Sequence, residues 1–103
     1  MFFAFPGEGR WNEDEDALEF DVGIGEYKGM VRVPRAVFRQ IFGHMPTPSQ
    51  CVEAYYRERT AFEVAAENKL RARLLTPDGN VEITGRDLRE ARAAGLAAAA
   101  GRE

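Results

Sequence analysis

The sequence predicts an α+β domain of two layers, a small and mainly antiparallel sheet with helices packed chiefly on one face. Three observations lead to this class. The stretches "ALEFDV" (17–22) and "MVRVP" (30–34) alternate apolar and polar residues at the period of a half-buried strand. Residues 48–69 repeat their apolar positions at helical spacing behind a strong start signal. A second strand–turn–strand pattern occupies residues 70–84.

The N-terminus crowds Phe2, Phe3, Phe5 and Trp11 together. Two readings fit: a further strand closing the sheet edge against the long helix, or an interaction surface, since aromatic side chains are enriched at interfaces. In the first hairpin, 17–33, Leu18, Phe20 and Val22 share one face with Val31 and Val33. "GIGEYKG" (23–29) between them is turn-rich and predicts a loop of medium length. Setting Leu18 opposite Val33 and Phe20 opposite Val31 puts Glu19 across from Arg32 on the exposed face. Such a cross-strand pair contributes roughly 0.2–1 kcal/mol. A slip of one residue would carry Arg32 into the core, so the register is strongly specified.

Pro34 then opens a short helix, "PRAVFRQIF", with Gly43 suited to the position past its end. The long helix starts on Thr47 as cap, Pro48 in the first turn and Gln50 completing a capping box. Val52, Tyr55, Phe62, Ala66 and Leu70 form its apolar stripe, and Arg59 lies inside that stripe. A core cannot hold an unpaired charge, so Arg59 must either snorkel its head to water or pair, with Glu63 and Glu82 as candidates. It is read as a structural buried charge, its stem largely buried and its head on a carboxylate or carbonyl. "LRARLLT", "PDGN" and "VEIT" predict strand, turn and strand. Thr84 and Asp87 can cap a last helix. Residues 1–94 thus form one domain, and the alanine-rich stretch 95–103 is expected to fray.

The chain has 103 residues and a formal net charge of −3, unevenly distributed. Residues 8–26 carry eight acids and one base, while residues 27–42 carry Lys28, Arg32, Arg35 and Arg39 and no acid. These four bases are the candidate phosphate contacts of a nucleic-acid-binding reading. The acidic balance of the whole chain, and the lack of an RNA-type aromatic motif or helix-turn-helix spacing, argue against it. The glycines of "GIGEYKG" miss the dinucleotide spacing, and a strand pattern follows where a helix start is needed. "NEDED" (12–16) reads as a solvated connection rather than a carboxylate site. One histidine, His44, and one cysteine, Cys51, supply neither a metal-ligand set nor a nucleophile signature. Neither a cofactor nor a metal is expected, and no catalytic constellation is found. The apolar run at the N-terminus stops at Pro6, too short for a signal peptide or a membrane span, so the chain is expected to be cytoplasmic.

The ordered set Trp11-Asn12, "ALEFDV", "VRVPRAVFRQIF", "AYYRERTAFEVAAENKL" and "VEITGRDL" resembles a family of small bacterial proteins, domain of unknown function 1488. The resemblance covers residues 5–88. It implies a compact α+β domain with no established activity, and an arginine on the long helix at the place of Arg59. The functional expectation is a non-enzymatic interaction or regulatory module with an unknown protein partner. A homodimer is expected, formed through the N-terminal aromatics or an adjacent sheet edge.

Overall fold

The alternation that marks the first hairpin extends further than predicted, and the sheet grows from it. The computed structural model describes residues 2–100, with side chains for residues 2–95. Strand β1 (Arg10–Asn12) precedes β2 (Ala17–Ile24) and β3 (Tyr27–Pro34), and these pair antiparallel. Strand β4 (Val81–Glu82) joins β3 in parallel, giving one sheet of order β1-β2-β3-β4. Leu18 faces Val33, Glu19 faces Arg32 and Phe20 faces Val31, the register the alternation dictates. The loop of medium length is instead two residues, Gly25 and Glu26, because pairing continues to Ile24 and Tyr27. Gly25 at φ 59° is the residue a type II′ turn requires at its first central position. The acidic run 13–16 is the other hairpin connection. Asn12 Oδ1 accepts from Glu15 N at 3.1 Å and closes that turn.

A single 3-10 turn (Arg35–Phe38) and the short helix α1 (Arg39–Phe42) follow Pro34. Gly43 ends α1 at φ 75°, as its position predicted. Helix α2 (Pro48–Arg57) carries the expected capping box: Thr47 Oγ1 accepts from Gln50 N at 3.2 Å and Gln50 Oε1 from Thr47 N at 2.8 Å.

The long helix is not continuous. It breaks at Glu58 (φ −116°, ψ 33°), and α3 (Arg59–Arg71) begins there. No proline or glycine marks the break. Its cause is packing: α2 buries Cys51, Ala54 and Tyr55 over β1 and β2, whereas α3 buries Phe62, Ala65 and Ala66 toward β4 and the last helix, α4 (Gly85–Ala100). One straight rod cannot lie along both. Glu58 is tied to α4 by Arg92 at 3.0 Å.

The predicted hairpin 70–84 is also corrected. Leu70 and Arg71 belong to α3, which ends in a Schellman motif: Leu74 N donates to Lys69 O at 2.9 Å and Arg73 N to Leu70 O at 3.1 Å. Arg73 takes the left-handed position at φ 58°, where glycine is usual. Pro77-Asp78-Gly79 does form a turn, closed by Gly79 N donating to Thr76 O at 2.9 Å. It leads to the two paired residues of β4 rather than to a hairpin partner. Thr84 caps α4, accepting from Asp87 N at 3.1 Å while Asp87 Oδ2 accepts from Thr84 N at 2.8 Å. The backbone of α4 runs on to Ala100. Residues 101–103, the end of the stretch expected to fray, lie outside the described residues.

All four helices cover one face of the sheet. Between the layers lie Leu18, Phe20, Val22, Val31, Val33, Phe38, Tyr55, Phe62, Val81, Ile83 and Leu88, all buried. The opposite face of the sheet carries no helix, and two surfaces remain for function: that face, and the path of the N-terminal segment.

Candidate functional site

The N-terminal segment lies as a strap along β2 and over the helix pair. Ala4 forms a two-way bridge with Gly23, each amide donating to the other's carbonyl at 2.8 Å. Phe5 meets Phe20 with ring centroids 6.1 Å apart, and Arg59 Nη2 donates to Phe5 O at 3.3 Å. The guanidinium of Arg71 sits 5.2 Å from the centre of the Phe3 ring, a cation–π contact. Tyr56 clasps the far end: its hydroxyl accepts from Gly9 N at 2.9 Å and donates to Gly9 O at 3.3 Å. Phe3 and Phe5 are thereby half-buried, and Trp11 on β1 packs against the core. Phe2 is different. It is 93% exposed and borders a depression of about 650 Å³ whose lining is largely apolar, with Pro6, Ile24 and Met30, but includes Asp21, Lys28 and Asn80. The N-terminal aromatics thus include a closing segment for the sheet edge, as one of the two readings expected, and Phe2 lies outside it in solvent.

Arg59 is less buried than its place in the stripe predicts, while its head makes the carboxylate and carbonyl contacts expected of it. Its side chain is 38% exposed, with the guanidinium 5.9 Å from the centre of the buried Tyr55 ring. Its partner is Glu63 at 2.7 Å, not Glu82, and its second contact is the strap carbonyl of Phe5. The residue therefore holds the strap to α3.

The open face of the sheet centres on Glu19. The register is as predicted, but the exposure is not: Glu19 is only 5% exposed. Its Oε2 accepts from Asn12 Nδ2 at 3.0 Å, from Arg32 Nε at 3.0 Å and from Arg32 Nη2 at 2.9 Å. The turn 13–16 brings Glu15 to 3.8 Å from the same guanidinium, and Arg10 pairs with Asp21 at 3.0 Å beside it. Opposed charges flanked by Asn12 make a closed polar lattice.

The basic segment does not form one surface ready for phosphate. Arg32 is engaged as described. Arg35 donates through Nε to Pro46 O at 2.7 Å and reaches Asp16 at 3.6 Å. Lys28 and Arg39 are exposed. The local acids of residues 13–19 thus neutralise half of the cluster within the chain.

Cys51 is fully buried, and burial pushes its thiol up to about 11, away from the reactive thiolate. Burial likewise pushes the Tyr55 phenol up to about 12. His44 sits in an exposed loop with its ring against Phe42. Among the described residues no group of three His, Cys, Asp or Glu side chains is placed to hold a metal, and no helix is long and apolar enough to cross a membrane. Sequence reading missed Tyr56, Arg71 and Asn12 as holding residues. The only available signal was Asn12 ahead of an acidic turn, where its side chain can bond its own backbone.

The class defined by this arrangement is a small two-layer α+β domain, helices on one side and an open charged sheet face on the other. No family model and no curated protein matches the chain. Its fold matches a crystal structure, a protein of unknown function of the domain of unknown function 1488 family from Shewanella loihica PV-4. The match has a TM-score of 0.70 and spans 79% of this chain and 90% of that one at 13% identity. The fold is therefore the one the sequence resemblance implied.

Proposed function

We propose that this chain is a small non-enzymatic interaction module that works by self-association through its N-terminal strap. The observation that carries the reading is Phe2, an apolar ring almost wholly in water at the tip of a strap whose next aromatics are half-buried. Covering a phenylalanine side chain contributes about 1.5–3 kcal/mol, enough to motivate a contact. A surface that serves both partners of a two-fold dimer is the commonest way to cover such a group. Sheet-edge pairing has less support, since the edge strands β1 and β4 have three and two residues. Burial moves Cys51 and Tyr55 away from reactivity, so neither of these two groups favours a catalytic reading.

Sedimentation equilibrium tests the proposal. A mass of twice the 11.5 kDa chain at micromolar concentration is expected. Phe2→Ser should weaken the dimer by roughly tenfold or more, the equivalent of about 1.4 kcal/mol. A mass of one chain that holds at high micromolar concentration refutes self-association. A salt-dependent mobility shift of nucleic acid, lost on Arg35→Ala/Arg39→Ala, would instead favour phosphate binding.

A further inference from the structure

Nothing in the strap's seat distinguishes the chain's own strap from that of a second copy. The seat consists of Gly23 on β2, the ring of Phe20, and the guanidinium groups of Arg59 and Arg71 on α3. Everything they hold lies in residues 3–5. We propose that two copies exchange these straps, so that residues 2–5 of each chain lie in the seat of the other. This rests on the self-association reading above and specifies its form.

Three features point to exchange. First, the strap is attached through a bulged hinge. From Ala4 to Arg10 the chain takes six residue steps against the four from Glu19 to Gly23 on β2, so two extra residues are looped out within Pro6-Gly7-Glu8-Gly9. Gly7 turns that loop at φ 79°, while a Cβ placed on it would meet nothing nearer than Asp21 Oδ2 at 3.8 Å. The closed hinge therefore depends on a left-handed conformation, not on lack of space. Second, the Tyr56 clasp holds Gly9 on the body. The strap can leave as a unit while the chain beyond Gly9 stays in place. Third, in the closed form the strap leaves Phe2 in water beside a largely apolar depression. A second body drawn in by exchange covers that tip.

Exchange conserves every contact in the seat. The balance is then set by the hinge and by the new surface between the two bodies, against the high effective concentration of the chain's own strap. Gly7 holds positive φ without steric cost, so in the wild-type chain the hinge favours neither form and the new surface over Phe2 supplies the preference.

Ala4 and Gly23 provide the test. Residues that exchange both hydrogen bonds across an antiparallel pair lie about 5.5 Å apart at Cα, within disulfide range. Gly23 accepts a Cβ at ordinary contact, 3.5 Å from Tyr27 O. The variant Ala4→Cys/Gly23→Cys, made with Cys51→Ala, is oxidised at a concentration where it sediments as a dimer. It is then run on a denaturing gel without reductant. Covalent dimers are expected, their share rising with protein concentration. A sedimenting dimer that yields only internally cross-linked monomers overturns the exchange and leaves self-association standing. A chain that sediments as a monomer throughout overturns both. Gly7→Val supplies a second reading that needs no new cysteines. It strains only the closed hinge, and each dimer opens two of them, so it should strengthen the dimer about a hundredfold, in line with about 1.4 kcal/mol of left-handed cost per hinge. An unchanged or weakened dimer overturns the exchange.

Discussion

Removing Arg32 should cost more than removing the charge it pairs with, and the structure sets the size of the difference. Arg32→Met takes away two of the three donors on Glu19 Oε2, at 3.0 and 2.9 Å, and leaves a carboxylate that is 5% exposed on the single amide of Asn12. Breaking a buried pair in this way costs about 3–5 kcal/mol. The opposite change, Glu19→Gln, leaves an arginine whose side chain is 31% exposed and which keeps Glu15 at 3.8 Å. That guanidinium rehydrates, so the loss is one charge-assisted interaction, about 1–1.5 kcal/mol. Urea denaturation at neutral pH measures both. The double variant Glu19→Gln/Arg32→Met should be more stable than Arg32→Met alone, because the stranded charge is gone. Two results would refute the reasoning: Glu19→Gln losing as much as Arg32→Met, or the two losses adding in the double variant.

Gly9→Ala is expected to destabilise the fold by about 1–3 kcal/mol by overpacking, since the new Cβ would lie 2.7 Å from the ring of buried Tyr55; thermal unfolding reads the loss, and a wild-type midpoint would contradict it. Cys51 should resist a thiol reagent such as dithiobis(nitrobenzoate) until the chain unfolds, so labelling and unfolding rates should match across a urea series. At Asp87 burial alone would raise the carboxyl pKa, but hydrogen bonds from Thr84 and the Lys69 ammonium at 3.0 Å hold it below its ordinary value of 3.8. A depressed carboxylate stabilises the fold above its unfolded pKa and loses that contribution as pH falls through the folded one. The stability gap between wild type and Asp87→Asn should accordingly be full at neutral pH and close below about pH 3.8, the ordinary carboxyl range. A gap that persists at pH 2 would show a loss that is not electrostatic.

The hairpin was legible because its period is two and a slip would have buried Arg32. The starts of α2 and α4 were legible because capping boxes are local. The break at Glu58 was not, since the apolar spacing runs through it and the bend answers to surfaces far away in sequence. The end of α3 was hidden for a related reason. Its stop is a Schellman motif with Arg73 in the glycine position, so residues 70–76 carry no breaker and their Leu-x-Ala-x-Leu pattern imitates a strand. At the candidate site, the aromatics of the strap were visible by composition. The burial of Glu19 was not, because alternation assigns a face and says nothing of what neighbouring turns lay over it. The pairing of Arg59 with Glu63 was legible from their spacing of four on one helix, whereas its partial exposure was not.

The parallel pairing of β4 with β3 sets an order of events in folding. The β2–β3 hairpin closes on a turn of two residues, Gly25 and Glu26. Val81 reaches Val31 only after the intervening helices have been threaded between them. Loop closure costs about 0.6 kcal/mol for each doubling of length, so roughly four and a half doublings separate the two events by about 2.8 kcal/mol of chain entropy. The hairpin with its covering α2 is the natural nucleus, and β4 docks after the barrier. Val31→Ala is then expected to slow refolding in stopped-flow chevrons, while Val81→Ala should chiefly speed unfolding. Equal effects on the refolding limb would place β4 in the nucleus. The same lateness implies that the Ile83 amide, which donates to Arg32 O at 2.9 Å, opens to solvent exchange before the amides of the β2–β3 pair.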